Sequence, residues 1–298
     1  RHVHNVNFTP RVHTVNMQIS DSAIKYMTVW SGTVRTVTAD LHLQHLGSGP
    51  SLVLLHANGG DHRDFAAISP HLAEAGWRVR ALDWPGHGRS PRSGAETAVG
   101  FGDGLIDMLE ELGGRHVLLG NSVGGFAALR AAAHAPDLVA GLVLVSPGGF
   151  TPHWPGSTLV CRVIGSAAVA PRAYRTLPRV YLRDRNPGVA AAIGRAQEAS
   201  RTPGSAAVFA SVWRSFADPD HDARPLAAGV RCPVLLAWGT RDPILPWRID
   251  GRRARAALPD AEIVTFDGAG HQPFIERPEE FLDGTMPFLA RIHEANSA

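Results

Sequence analysis

The sequence predicts an α/β fold: a mainly parallel central sheet with helices on both faces, interrupted by a helical insertion. Three observations predict it. Short apolar runs alternate with helical periodicity from Thr33 to about Pro147 and again from Cys232 onward, as expected of strands buried on both faces. Residues 151–227 contain no strand pattern and instead hold Ala- and Arg-rich segments broken by Pro or Gly. Finally, 298 residues with 44% hydrophobic and 19% charged positions bury a large core and are too apolar for disorder.

The elements follow in order. TVRTV and LHLQHL alternate on either side of Ala39-Asp40, which reads as a β-hairpin. SLVLLH (51–56) is a buried strand, 62–75 a helix, and WRVRALD (77–83) a second strand. WPGHGRSP is a loop by its Gly and Pro content; 96–112 reads as a helix, HVLLGN (116–121) as a strand, 123–135 as an Ala-rich helix and LVLVSP (142–147) as a strand. Strands alternating with helices imply right-handed crossovers and a parallel sheet. Helical segments are expected near 157–169, 172–182, 187–200 and 204–217. The alternation then resumes with the strand 232–239, a helix 247–257, the strand EIVTF (262–266) and a last helix from Pro278 to about His293. The domains are therefore a core of 31–150 and 228–298, an insertion of 151–227, and an N-terminal extension of 1–30.

Composition excludes several classes of function. A net charge of +2 with no basic arm argues against nucleic acid as a partner. Two cysteines, Cys161 and Cys232, offer no disulfide framework, so a reducing cytosol is the expected location. The fifteen histidines show no metal-ligand spacing, and neither metal nor cofactor is expected. No run of 18 apolar residues is present, so no membrane is expected as a partner. Residues 1–30 lack the apolar block of a secretory signal and are set apart from the functional reading; their first residue is not Met, which processing, an upstream expression sequence or a start at Met17 or Met27 would explain.

The most specific string is Gly120-Asn121-Ser122-Val123-Gly124-Gly125, placed where a strand meets a helix. That is the setting of a nucleophile elbow, whose strained serine needs small residues two before and two after it. The competing reading is a glycine-rich turn that binds an anion. A serine hydroxyl needs a base, and the base needs an orienting partner. Asp242 follows the strand VLLAW and His271 follows EIVTF, which brings both to the carboxyl edge of the sheet, where ligands of open parallel sheets collect. The candidate triad is Ser122, Asp242 and His271, with Asp267 as a rival orienter. His56, His87 and Asp83 read as loop braces, and the two cysteines as packed thiols.

These motifs and their order resemble the α/β-hydrolase fold superfamily from about Thr33 onward. Asp83-Trp84-Pro85-Gly86-His87-Gly88-Arg89-Ser90 is similar to its D-x-x-G-x-G-x-S loop, and His56-Ala57-Asn58-Gly59 to its H-G-x segment. Gly270-His271 followed by Glu276-Arg277-Pro278-Glu279-Glu280-Phe281 resembles its G-H…E-x-P-E-x-F ending. The resemblance implies an oxyanion hole from the backbone N–H groups of Asn58 and Val123, with Ala57 in place of the usual glycine. It also implies that 151–227 is a helical lid, in which Trp154, Phe209, Trp213 and Phe216 are candidate substrate contacts forming an apolar ceiling.

A serine at the elbow sets aside the carboxylate-dependent dehalogenases and epoxide hydrolases of this fold. Hydrolysis of a carboxylic ester of a small, apolar substrate is the first expectation. The alternatives are C–C bond hydrolysis of a vinylogous diketone, for which Gln272 replaces the usual Trp after the histidine, and a small-molecule receptor without turnover. Perhydrolase and acyltransferase chemistry would use the same residues.

Overall fold

The computed structural model describes residues 11–20, 23–36, 39–94 and 96–297. Among these residues nine strands form one sheet in the order β1-β2-β3-β5-β4-β6-β7-β8-β9. They are β1 Arg11–Ser20, β2 Ala23–Arg35, β3 Asp40–Leu46, β4 Ser51–Leu55, β5 Arg78–Leu82, β6 His116–Asn121, β7 Val139–Val145, β8 Val234–Gly239 and β9 Glu262–Phe266. The β1–β2, β2–β3 and β3–β5 pairs are antiparallel, and all pairs from β5 across β4 to β9 are parallel.

Successive strand residues enter two different cores. Val53 and Leu55 of β4 face one, and Leu52 and Leu54 the other. In β7, Leu142 and Leu144 divide in the same way from Val143 and Val145. A sheet covered on both faces needs apolar side chains at every position, which is why its strands read as unbroken apolar runs.

The helices are α1 Ser69–Glu74, α2 Ala98–Leu112, α3 Val123–His134, α4 Pro155–Ile164, α5 Ala170–Thr176, α6 Pro178–Tyr181, α7 Pro187–Ala199, α8 Ser205–Ser215, α9 Ala223–Ala227, α10 Arg252–Ala257, α11 Pro273–Glu276 and α12 Pro278–Ser297. Phe101, Leu105 and Leu109 of α2 and Phe126 of α3 fill the first core; Leu72 of α1 and Phe281, Phe288 and Leu289 of α12 fill the second. The Thr97 side chain caps α2 by accepting from Gly100 N–H, and Gly113 ends it at a positive φ of 65°. Helices α4 to α9 form the insertion between β7 and β8, with no strand among them.

Departures from the sequence reading have local causes. The helix expected over 62–75 is a 3₁₀ turn, His62–Phe65, followed by α1, with Pro70 in the first turn of the new helix. The expected helix 247–257 begins with a π-type turn, Trp247–Gly251, before α10. The segment set apart as an extension contributes β1 and most of β2 to the sheet edge.

Candidate active site

The chain leaves β4 for β5 on one side, while β6 lies on the other side of β4. The loops after β4 and β6 therefore flank a crevice at a topological switch point. Asn58 lies three residues past β4, Ser122 directly after β6, Asp242 three past β8 and His271 five past β9. All four stand at the carboxyl ends of parallel strands.

Ser122 has φ 56° and ψ −116°, a left-handed conformation for a residue with a Cβ. Such strain costs of order 1–3 kcal/mol and persists only where the surroundings enforce it. Here Ser122 N–H donates to Val145 O at 3.1 Å, while Ser122 O accepts from Gly148 at 2.8 Å and Phe126 at 3.1 Å. A Cβ at Gly120 would collide with the Gly124 carbonyl, and one at Gly124 with the Leu55 carbonyl. The turn is sharp enough that only glycine fits at both positions.

His271 is buried, with Nδ1 2.7 Å from Asp242 Oδ2. The other carboxylate oxygen, Oδ1, accepts from Ile244 N–H at 2.8 Å and Leu245 N–H at 3.0 Å. Asp242 is thus held by three hydrogen bonds, one of them to the His271 ring. The rival acid, Asp267, accepts from Thr240 Oγ1 at 3.0 Å instead. Backbone bonds complete the loop: His271 N–H donates to Tyr181 O at 3.0 Å, and His271 O accepts from Asn121 Nδ2 at 3.0 Å.

Two contributors escape the sequence reading. Buried Glu276 accepts from the N–H groups of Gly270 and Gln272 on either side of His271, and from those of Arg183 and Asp184 in the insertion. One carboxylate therefore ties the histidine loop to the link between α6 and α7. In the sequence, Glu276 is only a matching letter of the G-H…E pattern, because the donors it serves are backbone groups. Tyr181 adds an aromatic wall, its ring meeting that of His271 edge-on at 5.5 Å. Burial pushes its hydroxyl pKa far up, so it stays neutral.

The braces behave as their sequence context suggests. His56 Nε2 accepts from Trp84 N–H at 3.0 Å, and its Nδ1 lies 2.7 Å from Ala57 O. Asp83 accepts from His62 N–H, His62 Nδ1 and Arg89 N–H. Burial pushes its pKa up, but the bond and charge of His62 outweigh that and hold it well below the usual carboxylate range. His42, His62 and Asp83 bring ligand atoms within 4.8 Å of one another, the one such group among the described residues. The Asp83 oxygens there are already engaged by the three donors just named. His87 lies with Nε2 3.2 Å from Asn58 Oδ1 and Nδ1 3.1 Å from Pro85 O. Burial lowers its pKa to about 3, so the neutral ring donates to only one of the two. Asn58 Nδ2 in turn donates to Phe209 O of α8 at 3.0 Å.

Ser122 and His271 line one cavity of about 500 Å³, together with Ala57, Asn58 and Val123. Trp154, Phe209, Trp213 and Phe216 all line it too, so every site residue expected from the sequence except Asp242, which stands behind His271, reaches the same space. The four aromatics differ in setting. Phe209 is buried and stacks on Tyr174 at 4.6 Å, and Phe216 meets Phe126 at 5.8 Å, whereas Trp154 is 60% exposed at the rim. A serine hydroxyl and an oriented imidazole in an apolar chamber suit attack on a carbonyl carbon.

Residues 52–283 match the sequence profile of the alpha/beta hydrolase family. An uncharacterised protein of Mycobacterium tuberculosis is 32% identical, the match covering 82% of this chain and 76% of the relative. A pimeloyl-[acyl-carrier protein] methyl ester esterase of Aromatoleum aromaticum is 32% identical over 78% of this chain and 94% of its own. Among solved structures, a thermophilic esterase from Thermogutta terrifontis superposes with a TM-score of 0.76 at 24% identity, covering 88% of this chain and 99% of that one.

Proposed function

The chain belongs to the alpha/beta hydrolase family, and on that premise we propose that it is a serine hydrolase cleaving a carboxylic ester, or a related acyl bond, of a small and largely apolar substrate. The observation that carries this reading is the convergence of Ser122 and the Asp242-oriented His271 on one apolar cavity. The ester in the name of the Aromatoleum relative is the same bond class.

In the proposed cycle Ser122 Oγ attacks the carbonyl carbon while His271 Nε2 takes its proton. The oxygen becomes an oxyanion, received by the N–H groups of Asn58 and Val123. The tetrahedral intermediate collapses, the bond to the alcohol breaks, and the alcohol leaves with the proton from His271. Water then attacks the acyl-enzyme, giving its proton to His271, and the carboxylic acid departs as Ser122 is reprotonated. Asp242, bonded to His271 Nδ1, orients the ring and stabilises the imidazolium formed at each step. The insertion, residues 151–227, acts as the lid, and its aromatic side chains hold the apolar part of the substrate.

A fluorophosphonate should label the protein stoichiometrically, with the adduct mapping to Ser122; an adduct on another serine refutes the assignment. A panel of acyl esters and vinylogous diketones then separates ester from C–C hydrolysis. A receptor would show ligand-induced thermal stabilisation with neither substrate turned over.

A further inference from the structure

The first half of the insertion, residues 151–183, combines exposed apolar side chains with unbalanced positive charge. Helix α4 has no buried residue, and its Leu159, Val160 and Val163 are 62%, 52% and 46% exposed. At the helical period these three share one stripe, with Arg162 on its flank. Trp154 just before α4, Val169 just before α5 and Val180 on α6 are exposed as well. Residues 151–183 carry Arg162, Arg172, Arg175, Arg179 and Arg183, all exposed, and no Asp or Glu. In a chain of net charge +2 this leaves −3 for everything else, so the charge is sorted by region.

We propose that the exposed residues of this segment act as one surface that adsorbs to anionic lipid. The apolar stripe of α4 would enter the boundary between headgroups and acyl chains, and the arginines would meet lipid phosphates. A lipid surface supplies both kinds of partner at once. Leu159, Val160 and Trp154 also line the cavity of Ser122, so its rim is continuous with the exposed patch. That continuity favours lipid over an acidic protein, because an apolar molecule passes from an acyl phase to the cavity without crossing water. Such a contact needs no spanning segment, and among the described residues no helix is long and apolar enough to cross a membrane. The adsorption does not depend on catalysis and is measured equally well on Ser122→Ala protein.

The test is co-sedimentation of the full chain with sucrose-loaded vesicles of phosphatidylcholine, alone or with about one-third phosphatidylglycerol. Binding to the anionic vesicles should be stronger by at least about tenfold and should weaken in ~0.5 M salt. Replacing Arg172, Arg175 and Arg179 together by Gln should lower it by about 100-fold, at roughly fivefold per charge. Val163→Ser with Val180→Ser, neither of which lines the cavity, should lower it by about tenfold. Circular dichroism melts verify that the variants remain folded, and the salt response of the wild type stands whatever they do. Equal binding to both vesicle types overturns the proposal. So does loss on removing the arginines with no effect of the apolar pair, a result that would identify an acidic protein as the occupant instead.

Discussion

The loops at the carboxyl edge of the sheet and the helices above them are built to opposite standards. Asp242, His271 and Glu276 are buried, and each is held by at least two hydrogen bonds of defined geometry. The insertion has a small core of its own, Ala170, Ala173, Tyr174, Ala196, Phe209 and Ala210, and one helix that buries nothing. Four of those six residues are alanines, each of which contributes little apolar area. The edge loops fix these candidate site residues by directed hydrogen bonds, whereas the insertion buries little apolar side-chain area and is the region expected to open and to vary. The two are joined by discrete polar ties: Arg195 to Asp64 at 2.6 Å, Asn58 to Phe209 O, Tyr181 O to His271 N–H, and Thr151 to Asp250.

Substitutions on the rigid side should have the largest effects on rate and the smallest on selectivity. Ser122→Ala or His271→Ala should each lower kcat by about 10⁴–10⁶, with melting temperature and substrate ranking unchanged. A residual rate within tenfold of wild type in stopped assays would place the chemistry elsewhere. Asp242→Asn should cost about 10⁴ in kcat, since an amide permits the wrong histidine tautomer, while Asp267→Asn should be nearly silent. The reverse pattern would transfer the orienting role to Asp267.

The seam between the regions should respond to pH. Burial, with a smaller contribution from the charge of Asp242, pushes the Asp250 pKa up to about 6, against about 3.9 in the unfolded chain. Between those values the folded protein holds the extra proton, so stability falls as pH rises, by about 2–3 kcal/mol in all. Asp250→Asn should therefore stabilise the protein above pH 6 by roughly that amount and flatten the dependence of Tm on pH between 4 and 6. An unchanged pH profile would show that the carboxyl titrates normally.

The smallest expected effect lies wholly in the insertion. Trp213→Ala and Phe209→Ala should alter the preference for acyl or alcohol chain length by about 1–2 kcal/mol, read as kcat/KM across an ester series. Labelling by a small fluorophosphonate should stay nearly constant. If labelling fell in step with ester hydrolysis, the insertion would be shaping the reactive groups as well as the pocket.

The sequence showed more of the edge loops than of the insertion. Ser122 was legible because strain demands glycine at 120 and 124, a demand that leaves a short, local signature. Asp242 and His271 were legible from their places after two apolar runs. Glu276 and Tyr181 were not, since both act on or through backbone groups, which every residue carries. The insertion helices could be placed to within several residues, but which of their apolar side chains are covered depends on neighbours distant in the chain.

Local pattern alone determined the α/β class, the order of strands from β3 to β9 along the chain, and the glycine-flanked serine. Each follows from interactions within a few residues: alternation of burial, turn geometry and backbone strain. Tertiary structure alone decided that Asp242 rather than Asp267 meets His271, that Asn58 braces α8, and that Trp154 stands at the rim while Phe209 is covered. Those contacts join residues 29 to 151 positions apart, and their geometry is set by how the strands and helices pack. No local pattern in the chain encodes it.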